Sequence, residues 1–206
     1  MGRPEGFSTT DDRRPTTDDR RATSVRSEES MDGDTVAGVN SPGAGVLLRP
    51  AAAGDAEFLT AMLVEAFNWD APRFSREEIL ATPHFAHYVT GWPRAGDFGV
   101  VAEDPSGTPV GAVWARTFPA DDPGYGHVDP QVPELTVGVL PGHRGRGVGG
   151  ALLDAVVEMA ARTGVDRLSL SVEDGNAAAS LYASRGFVTV GREGDSDTMV
   201  LRLGGR

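Results

Sequence analysis

A glycine-rich loop constrains the possible fold more than any other feature of this sequence, and it runs Pro141-Gly142-His143-Arg144-Gly145-Arg146-Gly147-Val148-Gly149-Gly150. It follows a strand-like run at 135–140 and precedes a helix-like run at 151–163. A strand, a glycine loop and a helix in this order present free backbone N–H groups to an anion. The sequence therefore predicts that the loop holds a phosphorylated ligand, whose identity decides the function.

The composition excludes several classes of function. A net charge of −11 makes free nucleic acid and an anionic membrane poor partners, and it either suits a cationic substrate such as an amine or serves solubility alone. The absence of cysteine excludes disulfides, thiolate metal sites and a cysteine nucleophile. The four histidines are scattered without a metal-binding motif, so no metal is expected.

Neither a membrane span nor a signal peptide is apparent in the sequence. No apolar run approaches the roughly 20 residues that a membrane span needs, and the N-terminus lacks an apolar core. A cytoplasmic location is therefore predicted. Residues 1–44 are polar and almost free of large apolar side chains, which predicts a disordered tail before a single domain at 45–206. A short imperfect repeat, TTDDRR, is interpreted as part of a solvated leader or a mis-assigned start, or else as a docking motif.

The domain alternates strand-like and helix-like patterns. Alternating or continuous apolar runs predict strands at 46–49, 98–102, 110–118, 134–140, 167–172, 187–190 and 198–203. Helical periodicity and end signals predict helices at 55–67, 76–81, 151–163 and 177–185. Ser75 and Glu78 form a capping box at the start of the second helix. The order predicts an α/β fold with one mixed sheet of about seven strands flanked by about four helices.

Two nucleotide-binding motifs compete for the glycine loop. A Walker loop would need Lys and Ser or Thr where Val148 and Gly149 stand. A dinucleotide fingerprint is satisfied literally by Gly145, Gly147 and Gly150, and Glu173 lies roughly where a ribose-binding acid would be. Only 56 residues follow Gly150, however, which is too few for the second half of a dinucleotide-binding sheet.

A third interpretation is a coenzyme A site, because the sequence resembles the GNAT superfamily of N-acetyltransferases. The family motif Q/R-x-x-G-x-G/A is matched by Arg144, Gly147 and Gly149. A longer family form also includes Val139, Pro141 and Gly145. The segment 176–187, NAAASLYASRGF, is similar to a second family element, N-…-A-…-L-Y-x-x-x-G-F. The resemblance covers about 160 residues, all but the tail, and implies a mostly antiparallel sheet.

The resemblance implies acetyl-CoA as the co-substrate. In the family, a splayed central strand bonds the pantetheine arm and backbone amides of the loop hold the phosphates. The resemblance implies that the Val139 amide polarises the thioester carbonyl. Asn176 matches a family residue that contacts coenzyme A, although it is equally readable as a helix N-cap. The implied cofactor-binding residues are Val137, Gly138, Val139, Arg144, Gly145, Arg146, Gly147, Val148, Gly149, Gly150 and Asn176.

Two residues are the catalytic candidates. Tyr182 matches the family position of a general acid that protonates the leaving thiolate. Glu134 enters the central strand, where family members often place a carboxylate, and is the first choice for the general base. Weaker alternatives for the base are Asp121, Asp122, Tyr125 and His127.

The resemblance implies transfer of an acetyl group to a primary amine, of a small molecule or a peptide, by direct attack in a ternary complex. The alternative is a non-catalytic acyl-CoA-binding or sensing domain. Homodimers are common in such folds, although the sequence carries no interface signal. Candidates for the acceptor site are Trp69, His84, Tyr88, Trp92, Glu193 and Asp195.

Overall fold

An open sheet with helices on both faces forms the body of the protein in a computed structural model, which describes residues 39–41 and 44–204. The strands are β1 Val39–Ser41, β2 Val46–Pro50, β3 Phe98–Glu103, β4 Pro109–Arg116, β5 Glu134–Val139, β6 Arg167–Glu173, β7 Val188–Glu193 and β8 Ser196–Arg202. The helices are α1 Ala56–Phe67, α2 Arg76–Ala81, α3 Pro83–Ala86, α4 Val148–Arg162 and α5 Ala178–Ser184. Short 3₁₀ turns at Ala53–Asp55 and Pro141–His143 precede α1 and α4.

The sheet is mixed and mostly antiparallel, as predicted. Its order is β1-β2-β3-β4-β5-β6-β8-β7, and only β5 and β6 run parallel. The structure adds β1 and α3 to the predicted elements. Both are too short to carry a periodic apolar pattern, and β1 lies inside the segment predicted as a tail. The rest of that segment, 1–38 and 42–43, lies outside the described residues.

Two apolar cores cover opposite faces of the sheet. Leu152, Leu153 and Val156 of α4 pack on one face, and α1 packs on the other. Successive residues of β4 serve the two cores in turn, with Val113 facing α4 and Trp114 facing α1. This alternation follows from the two-residue period of a strand. It shows that β4 is covered on both faces, as expected for a strand next to β5 in the middle of the sheet.

The predicted capping box is present at the start of α2. The Ser75 hydroxyl accepts the Glu78 N–H at 3.2 Å, and the Glu78 carboxylate accepts the Ser75 N–H at 2.8 Å, which confirms the capping box at α2. In the part of the chain that the structure describes, no helix is both long enough and apolar enough to cross a membrane.

Candidate active site

A cleft opens between β5 and β6 in the middle of the sheet. The two strands share a single register pair, Glu134 with Ser169, next to a backbone hydrogen bond of 3.0 Å from Ser169 N–H to the Pro133 carbonyl. Beyond that pair the strands diverge, and a cavity of about 890 Å³ lies along β5. Its size is that of a typical small-ligand site. The splayed central strand expected from the family resemblance is therefore present.

The backbone of β5 offers hydrogen-bonding groups to this cleft. Leu140 N–H bonds the Val110 carbonyl of β4 at 2.9 Å. Because successive N–H groups of a strand point to opposite edges, those of Val137 and Val139 face the cleft, and that of Gly138 faces β4. Gly138 lines the cavity, so its predicted place along the cofactor stays a prediction, but its N–H points to β4 and not to the cleft. Its lack of a side chain serves packing, because a Cβ there would collide with the Met62 carbonyl of α1.

The glycine loop ends this cleft and forms the start of α4. Gly147 is the N-cap residue, with φ 84°, and among the described residues no side chain caps the helix. The first N–H groups of α4 are therefore free of helical carbonyls, which makes an anion site. Cavity-lining residues of the loop are Arg144, Gly145, Gly147, Gly149 and Gly150.

Two predicted loop residues do not contribute side chains to the cavity. The Val148 side chain is buried in the core beneath α4, so only its backbone can serve a ligand. Arg146 is exposed and is absent from the residues that line the cavity.

The charge of Arg144 is already paired inside the protein. Its Nη2 lies 2.7 Å from the Glu65 carboxylate of α1, and its Nε donates to the Val139 carbonyl at 2.9 Å. The guanidinium thus ties the loop to α1 and to the end of β5. In this conformation Glu65 pairs with the guanidinium, and the predicted role of Arg144 in binding the cofactor stays a prediction.

Glu134 is a buried carboxyl in the cavity wall and is 3% exposed. Its Oε1 accepts hydrogen bonds from the Tyr88 hydroxyl at 2.8 Å and from the Gly126 N–H at 2.9 Å. Its Oε2 is buried and has no hydrogen-bond partner among the described residues. Burial raises the pKa of Glu134 to about 7, although both hydrogen bonds favour the charged form. The group can therefore exchange a proton near neutral pH.

The loop before β5 packs tightly around this carboxyl. The Tyr88 hydroxyl accepts the Tyr125 N–H at 2.7 Å while it donates to Glu134. A side chain at Gly124 would collide with Glu134 Oε2, and a Cβ at Gly126 would lie 2.5 Å from the Leu170 backbone carbon of β6. The sequence predicted only a loop here. The signal in the sequence that could have indicated this packing is the pair of glycines on either side of Tyr125. Because glycine has no side chain, the loop can lie close to Glu134 and to β6.

Tyr182 of α5 lines the same cavity from the other core and is 8% exposed. Burial raises its pKa to about 12, so the hydroxyl keeps its proton at neutral pH. Among the described residues no group hydrogen-bonds that hydroxyl. Asn176 also lines the cavity, and its Oδ1 accepts the Ala178 N–H at 2.9 Å. The Asn176 side chain thus bonds the N–H of the first residue of α5, although the N-cap residue of that helix is Ala177, and its amide nitrogen is left for other partners.

The structure separates the predicted acceptor-site residues into two groups. Trp69 and Tyr88 line the cavity, and so does Tyr125 among the alternative bases. The predicted residues that do not line it are His84, Trp92, Glu193, Asp195, Asp121, Asp122 and His127. Trp92 has a structural contact instead, because its indole N–H donates to the Ala52 carbonyl at 3.0 Å.

One histidine cluster bears on the prediction of no metal. Ligand atoms of His84, His87 and Asp122 lie within 4.8 Å of one another, and His87 Nδ1 is 3.1 Å from Asp122 Oδ1. The hydrogen bond between His87 and Asp122 explains why two of the three groups lie close together without a metal. The predicted absence of a metal stays a prediction.

Comparisons with known proteins agree with this geometry. Residues 61–187 match the model of the family described as "Acetyltransferase (GNAT) family". The N-alpha-acetyltransferase RimI of Mycobacterium tuberculosis is 36% identical over 148 residues, which cover 71% of this chain and 78% of the relative. The mycothiol acetyltransferase of Saccharomonospora viridis is 33% identical over 148 residues, and the match covers 71% of this chain and 47% of that relative. The chain thus spans about half the length of the mycothiol relative.

A solved structure shares the fold at moderate identity. The crystal structure of a ribosomal-protein-alanine N-acetyltransferase from Brucella melitensis aligns with a TM-score of 0.57 and 27% sequence identity. The alignment covers 76% of this chain and 99% of that one.

Proposed function

This chain belongs to the GNAT family of acetyltransferases, and from that premise we propose that it transfers an acetyl group from acetyl-CoA to a primary amine by direct attack in a ternary complex. The observation that carries the proposal is the cleft at β5. It joins an anion-binding helix start to a buried carboxyl with a pKa of about 7 in one cavity. Relatives named as N-acetyltransferases support an amine acceptor.

The cleft has the groups needed to hold acetyl-CoA, which supplies the acetyl group as a thioester. Free N–H groups at the start of α4 suit the pyrophosphate. The cleft-facing N–H groups of Val137 and Val139 suit the pantetheine arm in the manner of an added strand. Asn176 offers its amide nitrogen to the same arm.

Each step of the transfer then has a candidate residue. Ionised Glu134 accepts a proton from the substrate ammonium, directly or through a water, and so generates the attacking amine. The Val139 N–H donates to the carbonyl oxygen as negative charge develops on it. The Tyr182 hydroxyl gives its proton to the sulfur as the carbon–sulfur bond breaks. Direct attack is consistent with a chain that contains no cysteine to carry the acetyl group.

A thermal-shift comparison tests the ligand class. We expect acetyl-CoA to raise the melting temperature and NAD to leave it unchanged, because only the ligand that binds the native state stabilises it. Stabilisation by NAD alone would overturn the coenzyme A assignment.

The Tyr182→Phe variant tests catalysis against a sensing domain. We expect its turnover to fall by about 10²-fold or more, with acetyl-CoA affinity retained. Ser180→Ala, which removes an exposed hydroxyl from the same helix, is the matched control and should keep full turnover. If the native protein binds acetyl-CoA but acetylates no amine in a broad mass-spectrometry screen, the sensing domain is the better description.

A further inference from the structure

A continuous set of aromatic rings lines the end of the cavity next to Glu134. We define this aromatic wall as Phe67, Phe74, Phe85, Tyr88 and Tyr125, all of which line the cavity. The ring centroids of Phe67 and Phe85 are 4.8 Å apart, and those of Phe74 and Phe85 are 5.1 Å apart. Phe67 also meets Tyr88 and Tyr125 edge-on, at 6.4 and 6.3 Å. Tyr88 then connects the wall to Glu134 through its hydroxyl.

The wall lies at the acceptor end of the cleft. The glycine loop follows the last residue of β5, and Glu134 is the first. A strand of six residues spans about 17 Å. A thioester donor held by its phosphates at the loop therefore reaches toward Glu134 from one side. The space along the aromatic wall is left for the acceptor amine.

The charged side chains around the cavity are paired with one another, with a single exception. Among the described residues the charged lining groups are Glu65, Arg73, Glu134, Arg144 and Glu173. Glu65 pairs with Arg144 at 2.7 Å, and Glu173 pairs with Arg73 at 3.0 Å. Trp69 also donates its indole N–H to Glu173 at 2.6 Å. Glu134 alone is left to balance a charge on the acceptor.

We infer that the acceptor is a primary amine with one positive charge and an apolar, preferably aromatic, substituent. This inference rests on the proposed function. The amine meets Glu134, and its substituent packs on the aromatic wall. A second ammonium group or a carboxylate on the acceptor would be desolvated beside the wall without a free partner. The same chemistry occurs in free arylalkylamines and in peptide amino termini whose first side chain is apolar.

Matched pairs of acceptors test each part of the inference with the full chain and acetyl-CoA. Cadaverine differs from pentylamine by a second amine at the far end of the chain. Phenylalanine differs from phenylalanine amide by a carboxylate in place of the neutral carboxamide. We expect kcat/KM to be at least about tenfold higher for pentylamine and for phenylalanine amide than for their partners. Phenethylamine should exceed ethanolamine by about 100-fold or more, since the ring replaces a hydroxyl on an apolar wall. A comparison of kcat/KM for a peptide with an amino-terminal phenylalanine and for phenethylamine then distinguishes peptide acceptors from free arylalkylamines.

Two variants test whether the wall and the ion pairs cause the preference. Phe85→Leu removes a ring but keeps an apolar side chain, and we expect the preference for phenethylamine over pentylamine to fall by about tenfold. Phe58→Leu is the matched control, because Phe58 is partly buried in the same apolar cluster but does not line the cavity. Arg73→Gln removes the cationic partner of Glu173 and leaves its hydrogen bond from Trp69, so the disadvantage of cadaverine should shrink.

The possible failures are separable. Acetylation of cadaverine and ethanolamine as efficiently as of their matched apolar partners would overturn the inference and leave the proposed function intact. Equal effects of Phe85→Leu and Phe58→Leu would also overturn it. Binding of acetyl-CoA without acetylation of any of these amines or the peptide would instead count against the proposed function itself.

Discussion

Glu134 lies in the cavity wall with a pKa raised to about 7, which suits the general base that we propose. Its pKa of about 7 means that roughly half of the carboxyls are ionised at neutral pH. Because the ionised form is the base, kcat/KM should rise with pH and level off above about 7. Glu134→Gln should lower kcat by about 10²–10⁴-fold and remove this rise. Steady-state pH profiles measure both effects. Glu158→Gln, on the exposed side of α4, is the control, and an unchanged profile in Glu134→Gln would refute the assignment.

Tyr88 acts on the same carboxyl as a positioning residue. Its hydroxyl donates to Glu134 Oε1, and this bond favours the charged form. In Tyr88→Phe the bond is lost and the ring is kept, so the pKa of Glu134 should rise. We expect the midpoint of the kcat/KM profile to move to higher pH, with much of the plateau activity retained. A purely structural role for Tyr88 would lower activity at every pH without moving the midpoint.

These residues also mark how far the sequence predicts the site. The family resemblance pointed to Glu134 at the start of the central strand and to Tyr182 in the second motif as candidates, and both line the cavity. The partners of Glu134 were not predictable in that way. Tyr88 is 46 positions away and Gly126 reaches the carboxyl through its backbone, so both contacts depend on how α3 and the loop pack. Likewise, the local pattern around Arg144 carries no information on its pairing with Glu65.

At the level of elements, the junction of the glycine loop and α4 depends on one backbone conformation. Gly147 has φ 84°, which costs a residue with a side chain about 1–2 kcal/mol. Gly147→Ala should therefore lower the free energy of unfolding by about that amount and weaken acetyl-CoA binding. Urea denaturation and calorimetric titration measure the two effects. Gly142→Ala is the matched control in the same loop, because a Cβ there meets no atom within 4 Å. Equal effects of both variants would contradict this account.

The sequence predicted the longer elements well because their apolar periodicity is local. The seven predicted strands and four predicted helices are all present, with ends shifted by at most three residues. β1 and α3, with three and four residues, carry too little periodicity to be recognised. The divergence of β5 from β6 is a property of two strands together, and it followed from the family resemblance rather than from either strand's pattern.

At the scale of the whole molecule, a buried ion pair joins the segment after α3 to the sheet. Arg116 at the end of β4 is buried with Asp97, at 2.5 Å, and their side chains are 1% and 3% exposed. The same guanidinium donates to the His87 and Thr90 carbonyls at 2.6 and 3.0 Å. It thereby fixes the segment after α3, which carries Tyr88, to the sheet. Arg116 and Glu134 are register partners on β4 and β5, but the guanidinium is bound to Asp97, and the raised pKa of Glu134 follows from burial.

The Glu134 carboxyl should lower the free energy of unfolding of the domain as pH rises toward and above about 7. The pKa of Glu134 is about 7 in the folded protein against an ordinary 4.5 when unfolded. Between these values the unfolded chain has lost the proton that the folded chain keeps, so stability falls as pH rises. The loss reaches about 3 kcal/mol above about pH 7. Glu134→Gln should therefore melt several degrees higher than the native protein at pH 8, and the gain should vanish near pH 4. Thermal denaturation across this range, with Glu158→Gln as control, measures the difference. A gain that is independent of pH would show that burial of the charge is not its cause.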